Sequence, residues 1–125
     1  MSLLILKAYL RLIQFDFYLA TNRFAALCRK IHNYPVRRLK QQPDAVDRVC
    51  AAVDMACIWY WKQALCLQRS AVATSILRDS GVPAQLVIGA QQMPFRAHAW
   101  VEVDGQVAND KAHVVKELYN VLDRF

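Results

Sequence analysis

The stretch "AHAWVEVDGQVAND", residues 97–110, constrains the fold more than any other. Ala97, Ala99, Val101 and Val103 alternate with His98, Trp100 and Glu102, a period of two that belongs to a β-strand. Asp104-Gly105 then signals a hairpin. One face of that hairpin is small and apolar and demands a closely packed layer above it. The other face carries a histidine, a large ring and an acid.

The rest of the chain supplies helices for that layer. Residues 3–32 have helical spacing, with Leu3, Leu4, Leu10, Ile13, Phe17 and Leu19 as a broad apolar face and a break near Thr21-Asn22. A linker bounded by Pro35 and Pro43 follows. A helix over "DAVDRVCAAVDMACIWYW" then carries Asp44 and Asp47 at its positive end. A further helix runs from 66 to 80, stopped by Gly81 and Pro83. "QLVIGA" reads as a short buried strand, "MPFR" leads into the hairpin, and "HVVKELYNVL" reads as a short amphipathic helix. This order is α+β: helices first, then a helix and a small antiparallel sheet.

The 125 residues suit a single domain. At 56 % hydrophobic and 21 % charged, the composition excludes a disordered chain. The net charge of +6 divides unevenly, +7 over residues 1–42 and −1 over residues 43–125. The first region is therefore a basic, apolar helical segment suited to core packing first and docking second. No RNA-recognition signature or Arg-rich recognition helix accompanies it, which argues against nucleic acid. Lys7, Arg11 and Asp16 interrupt the N-terminal apolar run, and a membrane span needs roughly 20 mostly apolar residues. Membrane association and export are not expected, and a reducing, cytoplasmic setting with free thiols is. Four cysteines and three histidines without metal-ligand spacing give no support for a zinc site, and no cofactor is implied.

Cys66 stands apart from Cys28, Cys50 and Cys57. It lies at the start of a helix, where the dipole and unpaired N–H groups favour a thiolate and can hold an oxyanion. That reading competes with another buried core cysteine. His98 becomes a base only with partners. Asp110 is the candidate acid, and its reach depends on the turn. A two-residue Asp104-Gly105 turn pairs 99 with 110 and turns Asp110 away from His98. A three-residue, bulged turn pairs 98 with 110 directly, so the catalytic reading predicts the bulged form. Otherwise Glu102, read as a solvated charge, becomes the acid to examine. Gln63 is a possible oxyanion donor, His32 and His113 are surface residues, and Trp59-Tyr60-Trp61 reads as core or a cleft wall.

"CLQRSAVATSILRDSGVPAQLVIGA", followed by "PFRAHAWVEVDGQVAND", resembles the leader peptidases of lasso-peptide biosynthesis, the transglutaminase-like half of a split maturation protein. The resemblance covers residues 60–112. It implies a papain-like/transglutaminase-like fold and a Cys-His-Asp triad of Cys66, His98 and Asp110. It also implies removal of a leader from a ribosomally made precursor peptide. The implied partners are that precursor, a separate leader-recognition protein and an asparagine-synthetase-like cyclase. Acyl transfer on the same fold and a non-catalytic adaptor are the competing readings.

Overall fold

The computed structural model describes residues 2–21, 23–40, 42–91, 96–109 and 119–125. Four helices precede a sheet: α1 (Ser2–Ala20), α2 (Phe24–His32), α3 (Ala45–Trp59) and α4 (Cys66–Asp79), then β1 (Ala84–Gln91), β2 (Arg96–Val103), β3 (Gln106–Val107) and β4 (Asn120–Arg124). The sheet order is β3-β2-β1-β4, and every neighbouring pair is antiparallel. α4 lies against β1 and β2, with α1 and α3 packed beyond it.

The core forms where the helical and strand periodicities meet. Ala71, Val72, Ile76 and Leu77 of α4 are buried with Ala84 and Leu86 of β1 and Ala99 and Val101 of β2. The small apolar strand face is thus the one α4 covers. α1 gives Ala8, Leu12 and Phe15 to the same core. This corrects the face assigned to it from sequence: Leu3, Leu10 and Phe17 are exposed, the first by 80 %. The buried positions step by four and three residues, and the outer side of α1 carries an excess of leucines that gives it a second apolar stripe.

Two further expectations change. Residues 120–124 belong to β4 rather than to a C-terminal helix, since β1 offers an edge whose backbone groups need partners. The rest of that expected helix lies outside the described residues, as does His113. Trp59 and Trp61 are exposed, while Tyr60 between them is buried. The cause is local: Tyr60 ends α3 in an extended conformation and turns inward, where its hydroxyl donates to Asp16 Oδ2 at 3.0 Å. No helix among the described residues is long and apolar enough to cross a membrane.

Arg78 locks the layers together. It is only 6 % exposed, and its guanidinium donates to the carbonyls of Ile31, Tyr34, Ala84 and Phe125. Burial lowers its pKa, and the four acceptors compensate the loss of water.

Candidate active site

α4 begins at Cys66 itself. The residue before it, Leu65, is extended, and its carbonyl accepts the Arg69 N–H at 2.9 Å. No side chain caps this end, so the first-turn N–H groups keep their donor capacity beside the half-buried thiol. Successive side chains of α4 fix this end in place. Buried Gln68 donates to the Leu12 carbonyl of α1 at 2.7 Å. Arg69 donates to the Asn109 carbonyl at 3.1 Å and lies 3.6 Å from Asp54. Ser70 Oγ donates to the Ala99 carbonyl at 3.1 Å.

That last bond sets the level of the nucleophile candidate. At the other end of α4, Arg78 Nε meets the Ala84 carbonyl, and Ala84 pairs with Val103. α4 therefore runs in the direction of β2. Four residues of helix before Ser70 measure about 6 Å, which is about two residues of strand before Ala99. Cys66 thus stands level with Ala97 and His98.

His98 belongs to the sheet face opposite α4. Its ring stacks on Trp100, with centroids 5.9 Å apart and planes at 30°, and lies 5.1 Å from the ring of Tyr119. Trp100, Val87, Val107 and Tyr119 make a small second cluster there. The start of α4 and the His98 side chain thus lie on opposite sides of β2, with the Cys66 and His98 backbone positions at about the same level along the strand.

The hairpin is closed by two residues. Val103 pairs with Gln106 and Glu102 with Val107, with Asp104 and Gly105 at φ of 52° and 75°. The bulged turn required for a direct 98/110 pair is absent. The tight turn keeps Val103 in the strand, half-buried against the core, whereas a three-residue loop would have withdrawn it. The ladder then stops early. Ala108 N–H reaches the Val101 carbonyl at 2.8 Å, but the Val101 N–H donates to the side chain of Asn109, at 2.9 Å to Oδ1. Asn109 Nδ2 also donates to Ser70 Oγ at 3.1 Å. One asparagine thus joins β2 to α4, a role that no sequence pattern announced. Asp110 lies outside the described residues.

Glu102 is not solvated. It is 7 % exposed, because buried Trp100 needs an acceptor for its indole N–H and finds Glu102 Oε2 at 2.9 Å. Arg124 lies 3.5 Å from the other oxygen. Four residues of strand put Glu102 about 13 Å along β2 from His98, too far to orient the imidazole.

The other thiols sit in different surroundings. Burial pushes the Cys50 thiol up to about 11, with Asp54 and Asp47 adding to the effect. Burial also raises Cys28 and Cys57. Exposed Gln63 lines an open groove of about 320 Å³ with Asp54, Cys57, Ile58, Ala64 and Arg69, beside the start of α4. Exposed His32 lies in a separate groove with Phe24 and Arg29. Among the described residues no group of His, Cys, Asp and Glu could hold a metal ion.

The family described as transglutaminase-like superfamily matches residues 9–123. The chain belongs to the transglutaminase-like superfamily. It is also 43 % identical over 53 residues to the microcin J25-processing protein McjB of Escherichia coli. That match takes in 42 % of this chain and 26 % of the relative, so the chain aligns with about a quarter of that protein's length. No solved structure matches.

Proposed function

We propose that this protein is a cysteine peptidase that removes the leader from a lasso-peptide precursor, with Cys66 as nucleophile, His98 as base and Asp110 as orienting acid. The observation that carries the reading is Cys66 at the uncapped first position of α4, level with His98, in a chain of this superfamily. The relative's name, which concerns microcin J25 processing, gives the reading its substrate class.

The chemistry follows from those groups. His98 accepts the thiol proton, and the Cys66 sulfur attacks the carbonyl carbon at the leader–core junction. The N–H groups of the first turn of α4 hold the oxyanion. The C–N bond breaks as His98 returns its proton to the amine of the core peptide. Water then cleaves the thioester, releases the leader's carboxylate and restores the thiol. In this reading the sulfur and the imidazole meet at the rim of β2 with the ring kept against Trp100 and Tyr119, since hydrogen bonds at such pairs tighten only when the peptide is bound. The tight turn does not give the direct 98/110 pair, but the β3 pairing ends at Val107 and Asn109 is tied to Val101 and Ser70 instead, so Asp110 is proposed as an acid from beyond the ladder rather than as a cross-strand neighbour of His98.

A separate leader-recognition protein presents the precursor in this reading, and an asparagine-synthetase-like cyclase takes the product. The basic N-terminal helices offer them a surface. The test is mass spectrometry of a lasso-type precursor co-expressed with this chain and a leader-recognition protein. Cys66→Ala abolishes leader removal while leaving thermal stability near that of the parent. Cleavage at the parent rate by that variant removes the assignment. An adaptor predicts the same precursor mass with either chain.

A further inference from the structure

His98 sits within a set of side chains that the proposed triad does not use. Its ring lies against both Trp100 and Tyr119, and those two rings are themselves 6.1 Å apart. Trp100 is 1 % exposed, and its rotation is limited at both ends. At one end its N–H is held by buried Glu102. At the other, the six-membered ring extends over Gly89, the residue that pairs with His98 on β1. A Cβ at position 89 would stand 2.4 Å from Trp100 Cη2 and 2.7 Å from Cζ3, so only glycine leaves the ring this place.

We infer that Glu102, Trp100 and Tyr119 form a positioning clamp for His98, with Glu102 acting through the indole rather than on the imidazole. The inference rests on the peptidase reading and deepens it. The clamp holds the plane of the imidazole and presents it with two π faces, whose quadrupoles favour the protonated ring that forms in each half-reaction. A carboxylate about 13 Å along the strand contributes little direct charge at that distance in a wetted site. Its function is the hydrogen bond. Glutamine keeps an oxygen for the indole N–H, whereas leucine does not.

Among the described residues the other charged groups on this side are Arg96, two residues before His98 on the same strand face, and Arg124 of β4, whose strand partner is Val87. β1 offers no ionisable side chain, and Cys66 lies at the start of α4 on the other side of β2. None of the substitutions below removes these groups.

The experiment measures alkylation of Cys66 by iodoacetamide between pH 5.5 and 9.5, read by peptide mass mapping so that the other three thiols are followed separately. If His98 promotes the thiolate, the parent reacts at pH 6 faster than a simple thiol does, and His98→Ala removes that excess. Glu102→Leu and Tyr119→Leu then each lower the pH 6 rate about tenfold, a fraction of the roughly hundredfold that a 1 Å misplacement can cost. The rate at pH 9.5, where the thiol ionises unaided, stays at the parent value. Glu102→Gln stays within about twofold of the parent throughout. Tyr119 is only half-buried, so its variant keeps the test alive if Glu102→Leu fails to fold. Parent-like profiles for folded Glu102→Leu and Tyr119→Leu overturn the clamp and leave the peptidase reading standing. A profile insensitive to His98→Ala overturns both.

Discussion

Replacing Ser70 with alanine tests whether the junction of α4 and β2 is as tightly specified as the distances imply. Ser70 is fully buried, and its Oγ donates to the Ala99 carbonyl and accepts from Asn109 Nδ2, both at 3.1 Å. Removing one oxygen deletes two hydrogen bonds and leaves an acceptor and a donor unmatched. At a net value near 1 kcal/mol for each bond the loss is about 2 kcal/mol, rising toward about 3 kcal/mol if the stranded Ala99 carbonyl stays dry. In a chain of this size that corresponds to a fall in Tm of roughly 6–10 °C. Urea unfolding followed by circular dichroism measures it, with Asn109→Ala and the double variant completing a cycle. The two residues share one bond, so their effects are sub-additive by about 1 kcal/mol. A loss below about 0.5 kcal/mol for Ser70→Ala, or simple additivity, refutes the account. If the proposed peptidase reading holds, leader cleavage falls by a larger factor than the folded fraction in both variants, because α4 no longer holds its height against β2.

Two other outcomes follow from the packing. Burial alone would raise the Asp79 carboxyl, but hydrogen bonds from Lys7 and Tyr34, the Lys7 charge and a hydrogen bond from Arg11 outweigh it and hold its pKa below the ordinary value. Its stabilising contribution is therefore complete above the unfolded-state pKa of about 4 and disappears as pH falls through the lower folded value. Asp79→Asn flattens that acid limb in urea melts from pH 2 to pH 7; an unchanged limb contradicts the assignment. Gly89→Ala drives a Cβ into the Trp100 ring and costs about 1–3 kcal/mol by chemical denaturation. A neutral result means that the ring has room the structure does not give it.

α4 was legible because Gly81 and Pro83 punctuate its end, and β2 because seven residues alternate without a break. Other features depend on partners distant in sequence. β4 is exposed at every position and owes its conformation to backbone pairing with β1, some 30 residues away. Val-Asp-Gly-Gln accommodates either turn, and the packing of Val103 decided between them. Glu102 looked like a surface charge because its value lies in one indole proton. Asn109 bonds to a backbone amide and a buried hydroxyl, and neither contact leaves a periodic trace. Cys66 and His98 could be nominated from their elements, but their common height emerged only from Ser70 and Ala99.

The guanidinium of Arg78 has a consequence for the order in which the chain acquires its structure. Its acceptors are Ile31 near the end of α2, Tyr34 just beyond it, Ala84 at the start of β1, and Phe125. While the protein emerges from the ribosome, α1 to α4 are complete well before the last of those carbonyls is synthesised. A helical intermediate that packed α4 fully at that stage would bury a cation short of one of its partners. The Arg78 guanidinium therefore has its full set of acceptors only once residue 125 is in place, and close packing of α4 is coupled to the docking of β4 on β1.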